Sequence, residues 1–127
     1  MKTFVLISRI LLGLLFLVFG LNGFLQFIPA PMPTGIAGQY VGALFVSHYL
    51  LVVFALELVA GVLLLTNRFL RAALIILAPI LVNIVLFHTF MAPAGVAPAV
   101  IAVALWSVLF YRERAAFSAL LVAKGTV

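Results

Sequence analysis

Cysteine is absent from this 127-residue chain, and acidic residues are nearly absent. The lack of cysteine excludes disulfides, thiolate nucleophiles and iron–sulfur clusters ligated by the chain itself. Only two residues are acidic, Glu57 and Glu113, against seven that are basic. The resulting net charge of +5 does not indicate nucleic-acid binding, because the basic residues bracket apolar segments instead of forming a patch.

Apolar side chains dominate what is present: 69% of the residues are hydrophobic and 7% are charged. A soluble domain of this size cannot bury so large an apolar fraction, so lipid must solvate most of the chain. Four apolar segments approach the roughly 20 residues that a transmembrane helix needs. They cover residues 4–28, 43–66, 72–91 and 94–111. The sequence therefore predicts a single all-α domain over residues 1–127, an integral membrane four-helix bundle.

The positions of the basic residues predict how this bundle is oriented. With four spans, every basic side chain falls on the same side of the membrane. By the positive-inside rule we expect both termini in the cytoplasm, with the chain in the inner (cytoplasmic) membrane. The C-terminal segment 112–124 carries apolar residues at helical spacing. It is predicted to form a short amphipathic helix on the cytoplasmic surface.

Glu57 is the most unusual residue of the apolar segments, because a carboxylate inside a span costs about 2.5–3.5 kcal/mol. Arg9 and Glu57 each lie on a helical stripe that contains small residues, typical of a packing seam. Their estimated depths allow an Arg9–Glu57 ion pair, and Asn83 is placed at a similar height. We therefore predict an inner polar cluster of these three residues. It serves either as a structural pin that fixes helix register or as a catalytic group in which Glu57 carries a proton.

A second polar set lies near the opposite ends of the spans and comprises Asn22, Gln26, His48 and His88. Helical geometry places the two histidines on other faces than the inner cluster, so the two sets are not expected to share one narrow interior. The outer set is predicted to line a cleft, face a partner subunit or bind a cofactor. A haem between His48 and His88 is disfavoured by their opposed faces, and no metal site is predicted, because the ligands are too few.

Several of these segments resemble the DoxX family of small four-helix membrane proteins. The segments Arg9–Gly13 (RILLG) and Glu57–Gly61 (ELVAG) are similar to motifs of that family, and Ala78–His88 (APILVNIVLFH) resembles the third helix of a DoxX-like subgroup. The resemblance extends over nearly the whole chain and implies a four-helix bundle with cytoplasmic termini. Founding members are linked to quinone-reducing thiosulfate oxidation and to a terminal quinol oxidase. This chain departs from many members by having Asn22-Gly23 where they carry lysine.

Two functional hypotheses follow from the residues and the resemblance. The first is support of quinone-linked redox chemistry as an accessory subunit of a larger membrane complex. In it Glu57 relays a proton, Arg9 holds Glu57 charged, Asn83 orients it, and His88 donates to a quinone headgroup. The alternative is a non-catalytic membrane interaction or assembly protein, with Arg9–Glu57 only a structural pin.

The sequence encodes no cofactor motif, and the expected partners are the lipid bilayer and other membrane subunits or further copies of the chain. A small transporter ranks lower, since no inverted repeat is visible.

Overall fold

A computed structural model describes residues 1–126, which form helices and turns and contain no β-strand. The helices of this range are α1 (Lys2–Leu25), α2 (Gly35–Val46), α3 (Tyr49–Leu65), α4 (Leu70–Phe90), α5 (Val96–Arg112) and α6 (Arg114–Phe117). Two short 3-10 turns complete the described chain, Pro93–Gly95 before α5 and Ser118–Leu121 after α6. The prediction of an all-α protein is confirmed.

The four longest helices, α1, α3, α4 and α5, pack in a ring. Helix α1 contacts α3 and α5, and α4 also contacts α3 and α5. The core between them is built from aliphatic and aromatic side chains that are almost fully buried, including Leu12, Phe16, Leu64 and Leu77. Large apolar side chains also cover much of the outer surface. Such a surface is stable in lipid, where lipid tails replace the partners that a soluble protein would need.

Three segments are long and apolar enough to cross a membrane: α1, α4 and the segment Pro93–Arg112. Helices α2 and α3 provide a fourth if this bent pair counts as one span. The prediction of a membrane-embedded helical protein is therefore confirmed, with three or four helices able to span the bilayer.

The predicted second span, residues 43–66, is wrong in its first part. Helices α2 and α3 meet at an angle of 82°. His48 lies between them in the left-handed region with φ 64°, and a residue in this conformation cannot continue a right-handed helix. Helix α3, which packs on α1 and α4, therefore begins only at Tyr49. Helix α2 stays attached through buried Ala37 and through Tyr40, whose ring stacks on Phe87 with 5.6 Å between ring centroids.

The predicted amphipathic helix over residues 112–124 is much shorter in the structure. Helix α6 has four residues, and the 3-10 turn that follows ends at Leu121. Phe117 packs back onto α5, where its ring stacks on Phe110 with 5.0 Å between centroids. This contact turns the chain toward the bundle, and it leaves Leu120 and Leu121 exposed beyond it.

Helices α1 and α3 approach each other closely through glycine, as the stripes of small residues predict. A Cβ atom added to Gly61 would lie 2.8 Å from the Leu17 backbone nitrogen and 3.0 Å from the Gly13 carbonyl oxygen. A Cβ atom added to Gly20 would lie 3.0 Å from the Phe54 carbonyl oxygen. These obstacles are backbone atoms that cannot rotate away, so only glycine permits this separation of the two helices.

Gly61→Ala should lower the free energy of unfolding by about 1–3 kcal/mol, because the added methyl group forces α1 and α3 apart. The matched control is Gly42→Ala, since a Cβ atom at Gly42 meets nothing within 4 Å. Within helix α2 this control should be neutral or stabilising by up to about 1 kcal/mol. Denaturant titration in detergent, followed by far-UV circular dichroism, measures both. Equal stabilities for the two variants would contradict the close contact.

Candidate functional site: a polar-lined cavity inside the helix ring

Arg9 binds the end of helix α3 and not Glu57. Its Nη1 donates to the Leu64 carbonyl oxygen and also to the Leu65 carbonyl oxygen, at 3.2 Å for the latter. The ion pair found within residues 1–126 is a different one, Arg71–Glu113 at 2.7 Å. The predicted Arg9–Glu57 ion pair is therefore wrong.

The physical reason is the register between α1 and α3. The last carbonyl groups of a helix have no partner within that helix, and they carry the negative end of its dipole. The antiparallel contact of the two helices brings Arg9 to this end of α3. Glu57 lies seven residues earlier, about 10 Å along the helix axis. The arginine side chain therefore satisfies carbonyl groups at the bundle end instead of reaching inward.

Asn83 also lies away from Glu57. Its side chain is exposed on the outer face of α4, where Nδ2 donates to the Pro79 carbonyl oxygen at 2.9 Å. The inward face of α4 carries Leu77, Leu81 and Ile84, and Asn83 is turned about 100° from Ile84. The predicted cluster of Arg9, Glu57 and Asn83 does not form, because each of the three faces a different environment.

Glu57 instead shares a cavity with His88 and Asn22. The cavity has a volume of about 390 Å³ and is bounded by α1, α3, α4 and α5. Its other walls are mainly apolar and include Phe16, Phe54 and Ile84. An apolar cavity of this size with a few convergent polar groups is the usual form of a small-molecule site. We call it the central cavity.

The carboxyl group of Glu57 is the deepest polar group of the central cavity. The residue is 6% exposed, and its Oε2 is buried without a hydrogen-bond partner among the described residues. A buried polar atom without a partner costs free energy comparable to that of a lost hydrogen bond. Glu57 therefore has an unused hydrogen-bonding capacity that a ligand in the cavity can satisfy.

His88 has one ring nitrogen occupied. Its Nδ1 lies 3.1 Å from the Ala92 carbonyl oxygen. Since a carbonyl oxygen only accepts, Nδ1 carries the hydrogen of this bond, and Nε2 is left for another partner. Gly95 makes room for the imidazole, because a Cβ atom there would lie 2.7 Å from Cε1. Gly95 was not among the predicted site residues, although it follows His88 by seven residues across a short turn.

The outer polar set divides in two. Asn22 lines the central cavity, and its Oδ1 accepts from the Ile28 backbone nitrogen at 2.7 Å. This bond leaves the donor Nδ2 available beside the cavity. Gln26 ends α1 in the left-handed region and is exposed, and exposed His48 lies in the break before α3. Asn22 and His88 therefore reach the site, whereas Gln26 and His48 lie outside it.

The expected separation of the two polar sets is wrong for Glu57, which shares the cavity with His88 and Asn22 of the outer set. Glu57 and His88 face the same interior. The separation was predicted because Asn83, on the same helix as His88, was expected inside the bundle, whereas Asn83 is exposed and lies outside the cavity. A usable signal was present, since His88 follows Ile84 by four residues and Leu81 by seven on the apolar face of α4.

A second groove lies on the outer side between α4 and α5. Its volume is about 320 Å³, and Val82, Leu86 and Trp106 are among the side chains that line it. The Trp106 Nε1 is already bonded to the Leu74 carbonyl oxygen, at 3.0 Å. The groove is lined by no ionisable residue, so the central cavity is the stronger candidate site.

No family model, curated protein or solved structure matches the chain. Within residues 1–126, no group of three or more His, Cys, Asp or Glu side chains is arranged to hold a metal ion. In the central cavity the side chains of Glu57 and His88 can form hydrogen bonds and transfer protons, and the amide of Asn22 can form hydrogen bonds.

Arg9→Met should lower the free energy of unfolding by about 1–3 kcal/mol, because it removes hydrogen bonds to the end of α3. Arg68→Met is the matched control, since Arg68 is exposed at the same end of the bundle. The control should change stability by less than about 0.5 kcal/mol. Denaturant titration of both variants in one detergent measures the difference.

A double-mutant cycle of Arg9→Met and Glu57→Gln tests whether these residues form a pair. Because they share no contact in the structure, their effects should add to within about 0.5 kcal/mol. A coupling energy well above that value, measured by the same titration, would show that Arg9 and Glu57 do interact and would contradict the structure.

Proposed function

We propose that the chain is a DoxX-like membrane protein that supports quinone-linked redox chemistry as an accessory subunit, and that the central cavity holds the quinone ring. One observation carries the proposal: Glu57, whose carboxyl Oε2 has no partner among the described residues, and His88, whose Nδ1 alone is bonded, line the same apolar-walled cavity. A quinone is a flat apolar ring with polar oxygen atoms. It therefore matches aromatic walls that contain a few hydrogen-bonding groups.

The polar groups of the cavity can form hydrogen bonds with both the oxidised and the reduced form of the ring. A quinone oxygen accepts hydrogen bonds, whereas a quinol hydroxyl also donates them. A carboxyl group donates when protonated and accepts when ionised, and an imidazole has the same versatility. Glu57 and His88 can thus bind either form and exchange a proton with it. The electrons are exchanged with a partner subunit, since no redox centre is encoded by the chain.

The structure changes the roles proposed for the other polar residues. Asn22 is a donor beside the ring through Nδ2, whereas Arg9 fastens α1 to the end of α3 and does not touch Glu57. Asn83 lies on the outer face of α4 and does not orient the carboxyl group. We therefore assign ring binding to Glu57, His88 and Asn22, and we assign a positioning role to Arg9.

The proposal includes a chain that crosses the inner membrane four times and has both termini in the cytoplasm. The contacts Arg9–Leu64 and Arg71–Glu113 show that the start of α1 lies beside the end of α3, and the start of α4 beside the end of α5. Basic residues therefore collect at one end of the helix ring, which we call the basic end. The positive-inside rule places this end in the cytoplasm.

A second candidate is a non-catalytic assembly protein, favoured by the exposed position of Asn83. Its amide lies on a helix face that would otherwise contact only lipid. Polar amides in membrane helices commonly form hydrogen bonds with a neighbouring helix. Contact with a partner subunit through this face is compatible with a quinone in the central cavity.

Glu57→Leu should weaken quinone binding by about 5- to 150-fold, because it removes a hydrogen bond to the quinone worth about 1–3 kcal/mol. Asn83→Leu is the matched control, since it makes the same kind of change outside the cavity. Binding of a ubiquinone analogue to purified protein, together with mass spectrometry of co-purified quinone, measures both.

Ala102→Leu tests the same site through its volume, because Ala102 lines the cavity and is 3% exposed. The added carbon atoms should displace the ring while the polar groups remain. Unchanged binding in both Glu57→Leu and Ala102→Leu would contradict the proposed site.

A further inference from the structure

The wall of the central cavity is exposed on one side. Phe19 of α1 is 46% exposed, and Pro98 of α5 is exposed as well, whereas the other lining residues are buried or half-buried. Helices α1 and α5 are neighbours in the ring. The exposed part of the wall therefore runs along the line where these two helices meet.

The other side of α1 is closed. Along the α1–α3 contact, Gly20 lies against the Phe54 backbone, and Gly23 packs so tightly on the Phe54 ring that a Cβ atom would overlap it. Near His88, the neighbouring Phe87 is covered by the ring of Tyr40 from α2. Because the exposed residues of the cavity lining, Phe19 and Pro98, belong to α1 and α5, a molecule that enters the cavity meets the least obstruction between these two helices.

The opening lies in the apolar layer and toward the end opposite the basic end. Phe19 is about 9 Å from the end of α1 at Leu25, and Pro98 is about 3 Å from the start of α5. The exposed side chains nearby are apolar, such as Val18 on α1 and Val100 and Ile101 on α5. The surface around the opening is therefore a lipid-facing surface.

Small side chains leave space behind this opening. Ala99 and Ala102 of α5 line the cavity, and each is 3% exposed. Glu57 lies deeper, about 12 Å from the start of α3 at Tyr49. A ring that reaches Glu57 must therefore pass the opening first, and any long substituent is left outside.

We infer that the ligand enters the central cavity from the bilayer between α1 and α5, past Phe19 and Pro98, with its oxygen-bearing ring first. Its apolar tail stays in the opening and in the surrounding lipid. This inference rests on the proposed quinone site and specifies the ligand class as a tailed quinone dissolved in the bilayer half opposite the basic end. A tail-less quinone can occupy the ring site but makes no contact with the opening.

A quinone with a photoreactive group on the first part of its tail tests the route in the full chain reconstituted in lipid nanodiscs. After illumination, peptide mass spectrometry should find adducts near Phe19 and Pro98. An excess of a tail-less quinone should suppress these adducts by displacing the ring.

Two other results would overturn the inference and can be told apart. Suppressible adducts on the outer face of α4, near Val82 and Leu86, would refute the route while the ring site stands. Adducts that the tail-less quinone does not suppress would refute the ring site and the route together.

Phe19→Ala tests the opening by kinetics. It should speed dissociation of the tailed quinone severalfold, because the aromatic ring partly closes the opening. Val18→Ala is the matched control, since Val18 is 38% exposed on the same helix and does not line the cavity. Stopped-flow displacement by excess tail-less quinone measures both rates. Equal rates for Phe19→Ala and Val18→Ala would contradict the route.

Discussion

The close contact of α1 with α3 determines where the polar groups of this protein lie. Gly13 and Gly61 allow the two backbones to meet, and this contact fixes the register of the helices. Arg9 is thereby brought to the carbonyl groups at the end of α3. Glu57 is left four residues from Gly61, facing the space enclosed by the four long helices.

An unpaired carboxyl group in the interior lowers the stability of the folded chain unless something binds it. The surrounding architecture is consistent with a ligand in that role. Phe16 and Phe54 provide apolar walls, Gly95 leaves space for the imidazole of His88, and the bond from His88 to Ala92 occupies one ring nitrogen. Glu57 and His88 lie at different depths of the central cavity, an arrangement that fits a ring with a polar oxygen atom at each end.

The membrane class, the helical architecture and the glycine contact were predictable because each depends on local composition or on spacing along one helix. The break at His48 was not, since a left-handed histidine inside an apolar run has no composition signal. The partners of Arg9 and Asn83 were not predictable either. Depth along a helix can be estimated from its ends, but rotation about its axis is set by packing against other helices. Asn83, predicted beside Glu57, therefore lies on the outer face of α4, whereas His88, predicted on another face than Glu57, lines the cavity with it.

A structure determined experimentally in lipid nanodiscs with a ring-brominated quinone tests the central claim most directly. The account predicts ring density in the central cavity between Glu57 and His88, with Arg9 bound to the end of α3. Ring density confined to the outer groove beside Trp106, or an Arg9–Glu57 ion pair within the bundle, would contradict it.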